Sequence, residues 1–122
     1  MGSPAGPYKL VTVNTAPERA QRLIGQLVEA LKDEYTIIHA ANCETIESVK
    51  STVEQNQPDV LFCASMWTAE QAEEIQAIAK TTKPGLVTYA IPHGLKVNSG
   101  ENAIVDHLKS TVPQLLKTHF PA

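Results

Sequence analysis

The chain lacks the features that mark membrane-spanning and nucleic-acid-binding proteins. Its 122 residues include 10 basic and 13 acidic side chains, and no basic stripe or acidic tail interrupts this balance. Nucleic acid and anionic membrane surfaces are therefore poor candidates as partners. The apolar runs are shorter than the ~20 residues that a membrane-crossing helix needs. Residues 1–7 contain neither the basic region nor the apolar block of a secretion signal, and we expect them to form a flexible lead-in.

Cysteine is scarce, and its placement favours free thiols. The only two cysteines, Cys43 and Cys63, lie in or beside apolar runs that resemble strands. A free cysteine often behaves as a small buried hydrophobic residue. In the absence of a visible secretion signal, we expect both thiols to be reduced and the protein to be cytoplasmic.

Motifs for phosphate, nucleotide and metal binding are missing as well. The sequence has no glycine-rich phosphate loop and no glycine fingerprint for dinucleotides. His39, Cys43, Cys63 and His93 fall on separate predicted elements, without the paired spacing of a structural zinc site. We therefore predict no metal and no cofactor.

Strand-like and helix-like segments alternate along the rest of the chain. The predicted strands are near-continuous apolar runs: Tyr8–Asn14, Tyr35–Ala41, Asp59–Ala64 and Leu86–Ile91. Such runs are typical of strands buried on both faces, as in a parallel sheet covered by helices. We predict one α/β domain over residues 8–122, a three-layer, doubly wound, flavodoxin-like fold with strand order 2-1-3-4 and a short fifth strand at Leu95–Val97.

Capping signals place the predicted helices between these strands. Thr15-Ala-Pro-Glu18 and Thr68-Ala-Glu-Gln71 both have the composition of a capping box, and Thr45 is placed to cap the helix between them. A last helical region runs from about Asn102 to His119. Pro113 interrupts it, which predicts either a kinked helix or two short ones.

The predicted strand ends carry the candidate site. In an open parallel sheet, ligands bind beyond the carboxyl ends of the strands. Candidates for ligand binding lie there or in the loops and helix start beyond: Asn14, Thr15, Met66, Trp67, Ile91 and Asn98. Candidates for catalysis are His93, Ser65 and Asn102. His93 is the first choice, because an imidazole titrates near neutral pH.

Each of these residues also has a simpler interpretation. Thr15 can be a helix cap, Trp67 can be a core or lid residue, and His93 can stabilise a loop. Cys63 lies inside a strand, where inert burial is the better interpretation. A Ser65–His93 nucleophilic pair lacks an acid to orient the base, which makes it a weaker hypothesis.

Three passages resemble the D-2-hydroxyacid and formate dehydrogenase family. Residues 59–75 are similar to its third strand, substrate loop and Thr-Ala-Glu helix. Residues 86–94 are similar to its next strand and glycine-rich loop, although Pro92 replaces the usual glycine. Residues 94–107 resemble the Asn-Ala segment and the helix that lead into the family's nucleotide domain. A stretch of the family's residues has no counterpart before Leu95.

The resemblance implies the substrate half of such an enzyme. It would place Met66 and Trp67 in the substrate loop, and Ile91 and Asn102 where formate dehydrogenases hold the substrate carboxylate. The family's catalytic Arg, Glu and His belong to its nucleotide domain, and no nucleotide-binding motif is present here. Hydride transfer needs a nicotinamide cofactor, so we do not expect an NAD-dependent dehydrogenase.

Three functions stay open at this point. The first is a stand-alone domain that binds a small carboxylate or carbonyl compound. The second is a cofactor-independent lyase, isomerase or cyclase that uses His93 as acid or base, with Asn98 or Asn102 as an oxyanion donor. The third is a degenerate response-regulator receiver, because Ala64 stands where the phosphoacceptor Asp would fall. A homodimer through the apolar stripe of residues 104–120 is expected.

Overall fold

The computed structural model describes residues 5–64, 66–91 and 95–120, and for residue 5 and residues 95–102 it describes the backbone alone. Four strands and four helices alternate in this part of the chain. The strands are β1 (Ala5–Val13), β2 (Tyr35–Cys43), β3 (Val60–Cys63) and β4 (Val87–Ala90). The helices are α1 (Pro17–Leu31), α2 (Val49–Asn56), α3 (Ala69–Thr82) and α4 (Leu95–His119).

The strands form one parallel sheet in the order β2-β1-β3-β4, which confirms the predicted flavodoxin-like α/β fold. Side chains alternate between its two faces, as strand geometry requires. Leu10 of β1 and Phe62 of β3 pack in a core cluster with α1 and α4, whereas Val11 and Leu61 pack in a second cluster with α2 and α3. The sheet is therefore the middle of three layers.

β1 begins earlier than the apolar pattern indicates. Residues 5–7, expected in the lead-in, belong to this strand, and Ala5 pairs with Tyr35 across an irregularity in the register. Gly6 occupies the irregularity with a φ of +113°, where a Cβ atom would lie 2.6 Å from the carbonyl oxygen of Thr36. Only glycine accepts both conditions without strain. Backbone pairing thus extends the strand beyond its apolar side chains.

The prediction of a fifth strand at Leu95–Val97 is wrong. These residues are the first turn of α4, which also begins well before the expected start at Asn102 and runs through Pro113 as one helix. The three residues Leu-Lys-Val, with apolar side chains only at the two ends, fit either period, so their sequence does not separate helix from strand. Pro113 leaves the carbonyl of Lys109, an exposed residue, without its helical N–H donor, and the helix nevertheless continues past it.

α4 covers the sheet with the stripe on which the homodimer prediction depended. Its apolar side chains Ile104, Leu108, Val112 and Leu116 are buried in the same cluster as α1. A hydrogen bond between the Tyr89 hydroxyl and His107 Nε2 also joins β4 to this helix. The stripe is thus used inside the chain, and the homodimer stays a prediction.

Candidate functional site

The carboxyl ends of the strands meet at one edge of the sheet and are joined there by backbone hydrogen bonds. The N–H of Asn14 donates to the Cys43 carbonyl at 2.8 Å, and the N–H of Ala64 donates to the Val13 carbonyl at 3.0 Å. The N–H of Ile91 donates to the Cys63 carbonyl, also at 3.0 Å. The sheet pairing therefore continues one residue beyond the strands and fixes the backbone that carries the candidate site.

Asn14 directs the chain from β1 into α1. Its side-chain Oδ1 accepts a hydrogen bond from the N–H of Ala16 at 2.7 Å, a turn that asparagine commonly makes two residues ahead. The predicted capping box at Thr15 is wrong, because α1 starts at Pro17 and its N-cap is Ala16, which has no side-chain cap. The exposed Thr15 hydroxyl instead lies 3.6 Å from Met66 Sδ, to which it donates.

A polar network lies behind Asn14, on the same edge. Asn42 Nδ2 donates to the backbone carbonyl of Asn14 at 3.0 Å. The Thr12 hydroxyl donates to Asn42 Oδ1 at 2.7 Å and lies 2.8 Å from His39 Nε2. The network spans the central strand β1 and the edge strand β2, and it confirms the prediction that His39 is a hydrogen-bonded histidine of the sheet.

Hydrogen-bond directions in this network are determined by its carbonyl end. A backbone carbonyl only accepts, so Asn42 must present Nδ2 to Asn14 and Oδ1 to Thr12. Thr12 then donates its single hydrogen to Asn42, and His39 must donate from Nε2 to the Thr12 oxygen.

Burial lowers the pKa of His39 below its usual 6.5, and a hydrogen bond with the Ala41 backbone opposes part of that effect.

A small cavity lies between the carboxyl edge, α1 and α4. Its volume is about 20 Å³, which is room for roughly one water-sized group. Among the described residues, Thr12 and Asn14 are the polar ones that line it. The other described lining residues are apolar and come from both helices and the adjacent strands: Ala20, Leu23, Ile24, Phe62, Ala64, Ile91, Ile104 and Leu108.

Trp67 lies on the opposite face of the sheet edge. Its indole Nε1 donates to the Val13 carbonyl at 2.8 Å, and the ring packs against the cluster that includes Cys43 and Val49. The Val13 carbonyl therefore accepts from both Trp67 and Ala64. These contacts match the core or lid interpretation, and Trp67 is not among the residues that line the cavity.

The cysteines are buried on that same face. Burial raises the pKa of Cys63 to about 12 and also raises the pKa of Cys43. Both thiols stand opposite Val13, one on each neighbouring strand, so about two strand spacings of 4.8 Å separate them. This exceeds the reach of a disulfide. Both thiols are thus protonated at neutral pH, and the predicted burial of Cys63 is confirmed.

Several predicted site residues have no described side chain. Ser65 and His93 lie outside the described residues, and Asn98 and Asn102 are described only as backbone positions of α4. Of the sequence-predicted residues, the structure brings Asn14 and Ile91 together at the cavity. Within the described ranges, no group of three potential metal ligands is present, and no helix has the length and hydropathy to span a membrane.

Sequence reasoning missed the contribution of Thr12 and Asn42. Both are polar residues placed late in strands that are otherwise apolar, and they pair directly across β1 and β2. Two polar residues at paired positions near the ends of neighbouring strands are a signal that could have identified this network.

Comparison with protein-family models, with curated proteins and with solved structures found no match.

Proposed function

We propose that the chain is a binding domain for a small carbonyl or carboxylate compound, which it holds at the carboxyl edge between α1 and α4. The observation that supports this proposal most directly is the burial and the hydrogen bonding of Asn14. This residue is only 5% exposed and lines the cavity. Its Oδ1 is engaged by Ala16, and Nδ2 has no hydrogen-bond partner among the described residues.

Nδ2 is not one of the fully buried polar atoms that lack a partner, so it keeps contact with solvent and can donate to a group that enters the cavity. A ligand oxygen that accepts from Nδ2 would supply the partner that this donor lacks among the described residues. The apolar side chains that line the cavity, such as Leu23 and Ile91, would surround the ligand oxygen, and the rest of the ligand would stay at the cavity mouth.

The neighbouring groups support binding rather than acid–base chemistry within the described residues. Thr12 is held by its network, and the two thiols are buried and protonated. α1 begins beside Asn14 with no side-chain cap at Ala16. The N-terminus of a helix carries partial positive charge that favours an anionic group. A ligand with both a carbonyl and a carboxylate therefore fits this edge.

Solution NMR tests this proposal directly. Uniformly ¹⁵N-labelled protein is titrated separately with acetone, acetate, glyoxylate and pyruvate at millimolar concentrations, because molecules of this size bind weakly. We expect at least one compound to shift the backbone amides of Asn14, Ala64 and Ile91 in a saturable way. The groove between α2 and α3, near Lys50 and Ile78, provides control amides that should not move.

The contrary result is equally clear. If no compound of the panel shifts the amides at the carboxyl edge, or if the shifts are the same at Lys50 and Ile78, the assignment of this site is wrong.

A further inference from the structure

The groups around the cavity determine which kind of ligand oxygen it can accept. Thr12 already donates its only hydroxyl hydrogen to Asn42, so it has no hydrogen for a ligand. Asn14 Oδ1 accepts from the Ala16 N–H. Among the described residues, the side-chain donor left at the cavity wall is therefore Nδ2 of Asn14, and a ligand must present an acceptor to it.

Charge decides whether the cavity accepts the oxygen of a carbonyl group or that of a carboxylate. Among the described residues that line the cavity, none carries a charge. A carboxylate moved from water into such surroundings loses its hydration and gains one neutral donor in return. Burial of an unpaired ion costs far more than burial of a neutral group that is hydrogen-bonded. The carbonyl oxygen of a ketone, aldehyde or amide requires no counter-ion.

We propose that the cavity binds an uncharged carbonyl group, whose oxygen accepts a hydrogen bond from Asn14 Nδ2. This inference rests on the proposed function and narrows its ligand class. The space of about 20 Å³ admits the oxygen alone, among apolar side chains such as Ile91 and Ile104, and the adjoining carbons stay at the mouth of the cavity. Any carboxylate of the same ligand stays outside the cavity, towards the start of α1.

Acetone and acetate provide a matched pair of probes, since they have the same heavy-atom skeleton and differ in charge. The side-chain NH₂ signals of Asn14 are followed in ¹⁵N-labelled protein during each titration. We expect acetone to shift these signals and to bind at least about tenfold more tightly than acetate, the selectivity that the unpaired charge imposes.

The variant Asn14→Asp isolates the donor. Aspartate keeps an oxygen for the Ala16 N–H, so the turn into α1 is retained, but it has no N–H to offer when ionised at about pH 8. We expect acetone binding to weaken by about fivefold or more, the factor that one neutral hydrogen bond contributes. Asn56→Asp is the matched control: Asn56 ends α2, where its Nδ2 donates to the Thr52 carbonyl, and acetone binding should not change.

Two results would overturn the inference while leaving the proposed function in place. One is acetate binding at the carboxyl edge as tightly as acetone. The other is acetone binding that Asn14→Asp leaves unchanged, in a variant whose amide spectrum shows an intact fold. If neither probe nor any compound of the wider panel reaches the edge, the proposed function itself fails, and the inference fails with it.

Discussion

The substitution Thr12→Val tests whether the polar network at the carboxyl edge stabilises the fold. Valine has the shape of threonine and suits a central strand, so the change removes the hydroxyl with little effect on packing. Two hydrogen bonds are lost, one to Asn42 Oδ1 at 2.7 Å and one from His39 Nε2 at 2.8 Å. Each is worth about 1 kcal/mol net, and their partners are left half-buried, so we expect a loss of about 2 kcal/mol.

Urea denaturation followed by circular dichroism measures this loss. For an unfolding slope of about 2 kcal/mol per molar urea, the midpoint should fall by about 1 M, with the slope unchanged. Thr88→Val is the matched control, because Thr88 lies on the edge strand β4 and makes one hydrogen bond, to Gln76 Oε1. If Thr12→Val is no less stable than Thr88→Val, the network does not stabilise the fold as argued.

Three further predictions concern a cap, a histidine and the thiols. Thr68→Ala should cost about 1 kcal/mol in urea denaturation because it removes a complete capping box, whereas Thr15→Ala should cost little; equal costs would contradict the assignment. Burial lowers the pKa of His39, so its stabilising contribution is present above about pH 6.5 and is lost as the pH falls through that value towards the folded pKa. His39→Gln, which keeps an N–H for Thr12, should reduce the fall in the free energy of unfolding between about pH 7.5 and 5.5. If the variant loses as much stability over this range as the parent protein, His39 is not the source of the loss. Ellman's reagent should label Cys43 and Cys63 only after unfolding, and rapid labelling of the native protein would show that the thiols are accessible.

The sheet could be predicted because its signal is repeated along the chain. Each apolar run is followed by a helical stripe, and crossover connections of this kind allow few arrangements. Elements whose sequence pattern covers only a few residues are harder to assign from sequence. Leu95–Val97 fits a strand as well as a helical turn, and only the packing of α4 on the sheet decides between them.

The two capping boxes show why local signals do not suffice. Thr68-Ala-Glu-Gln71 forms both of its reciprocal hydrogen bonds. Thr15-Ala-Pro-Glu18 has equivalent composition, yet Asn14 makes the turn first and α1 starts one residue later than the motif requires. A residue caps a helix only if it directly precedes the first helical residue. Where that first residue falls depends on how the preceding strand ends.

The candidate site follows from the pairing of strands rather than from any single motif. Thr12, His39 and Asn42 lie on β1 and β2, and the sheet order places those strands side by side. Their hydrogen bonds end at the Asn14 backbone carbonyl, while the Asn14 side chain turns the chain into α1. The backbone carbonyl and the side-chain Oδ1 of Asn14 are thereby both held by hydrogen bonds, and its Nδ2 is left at the cavity. A donor held in this way loses little conformational freedom when an oxygen binds it, which is the physical basis of a preorganised binding site.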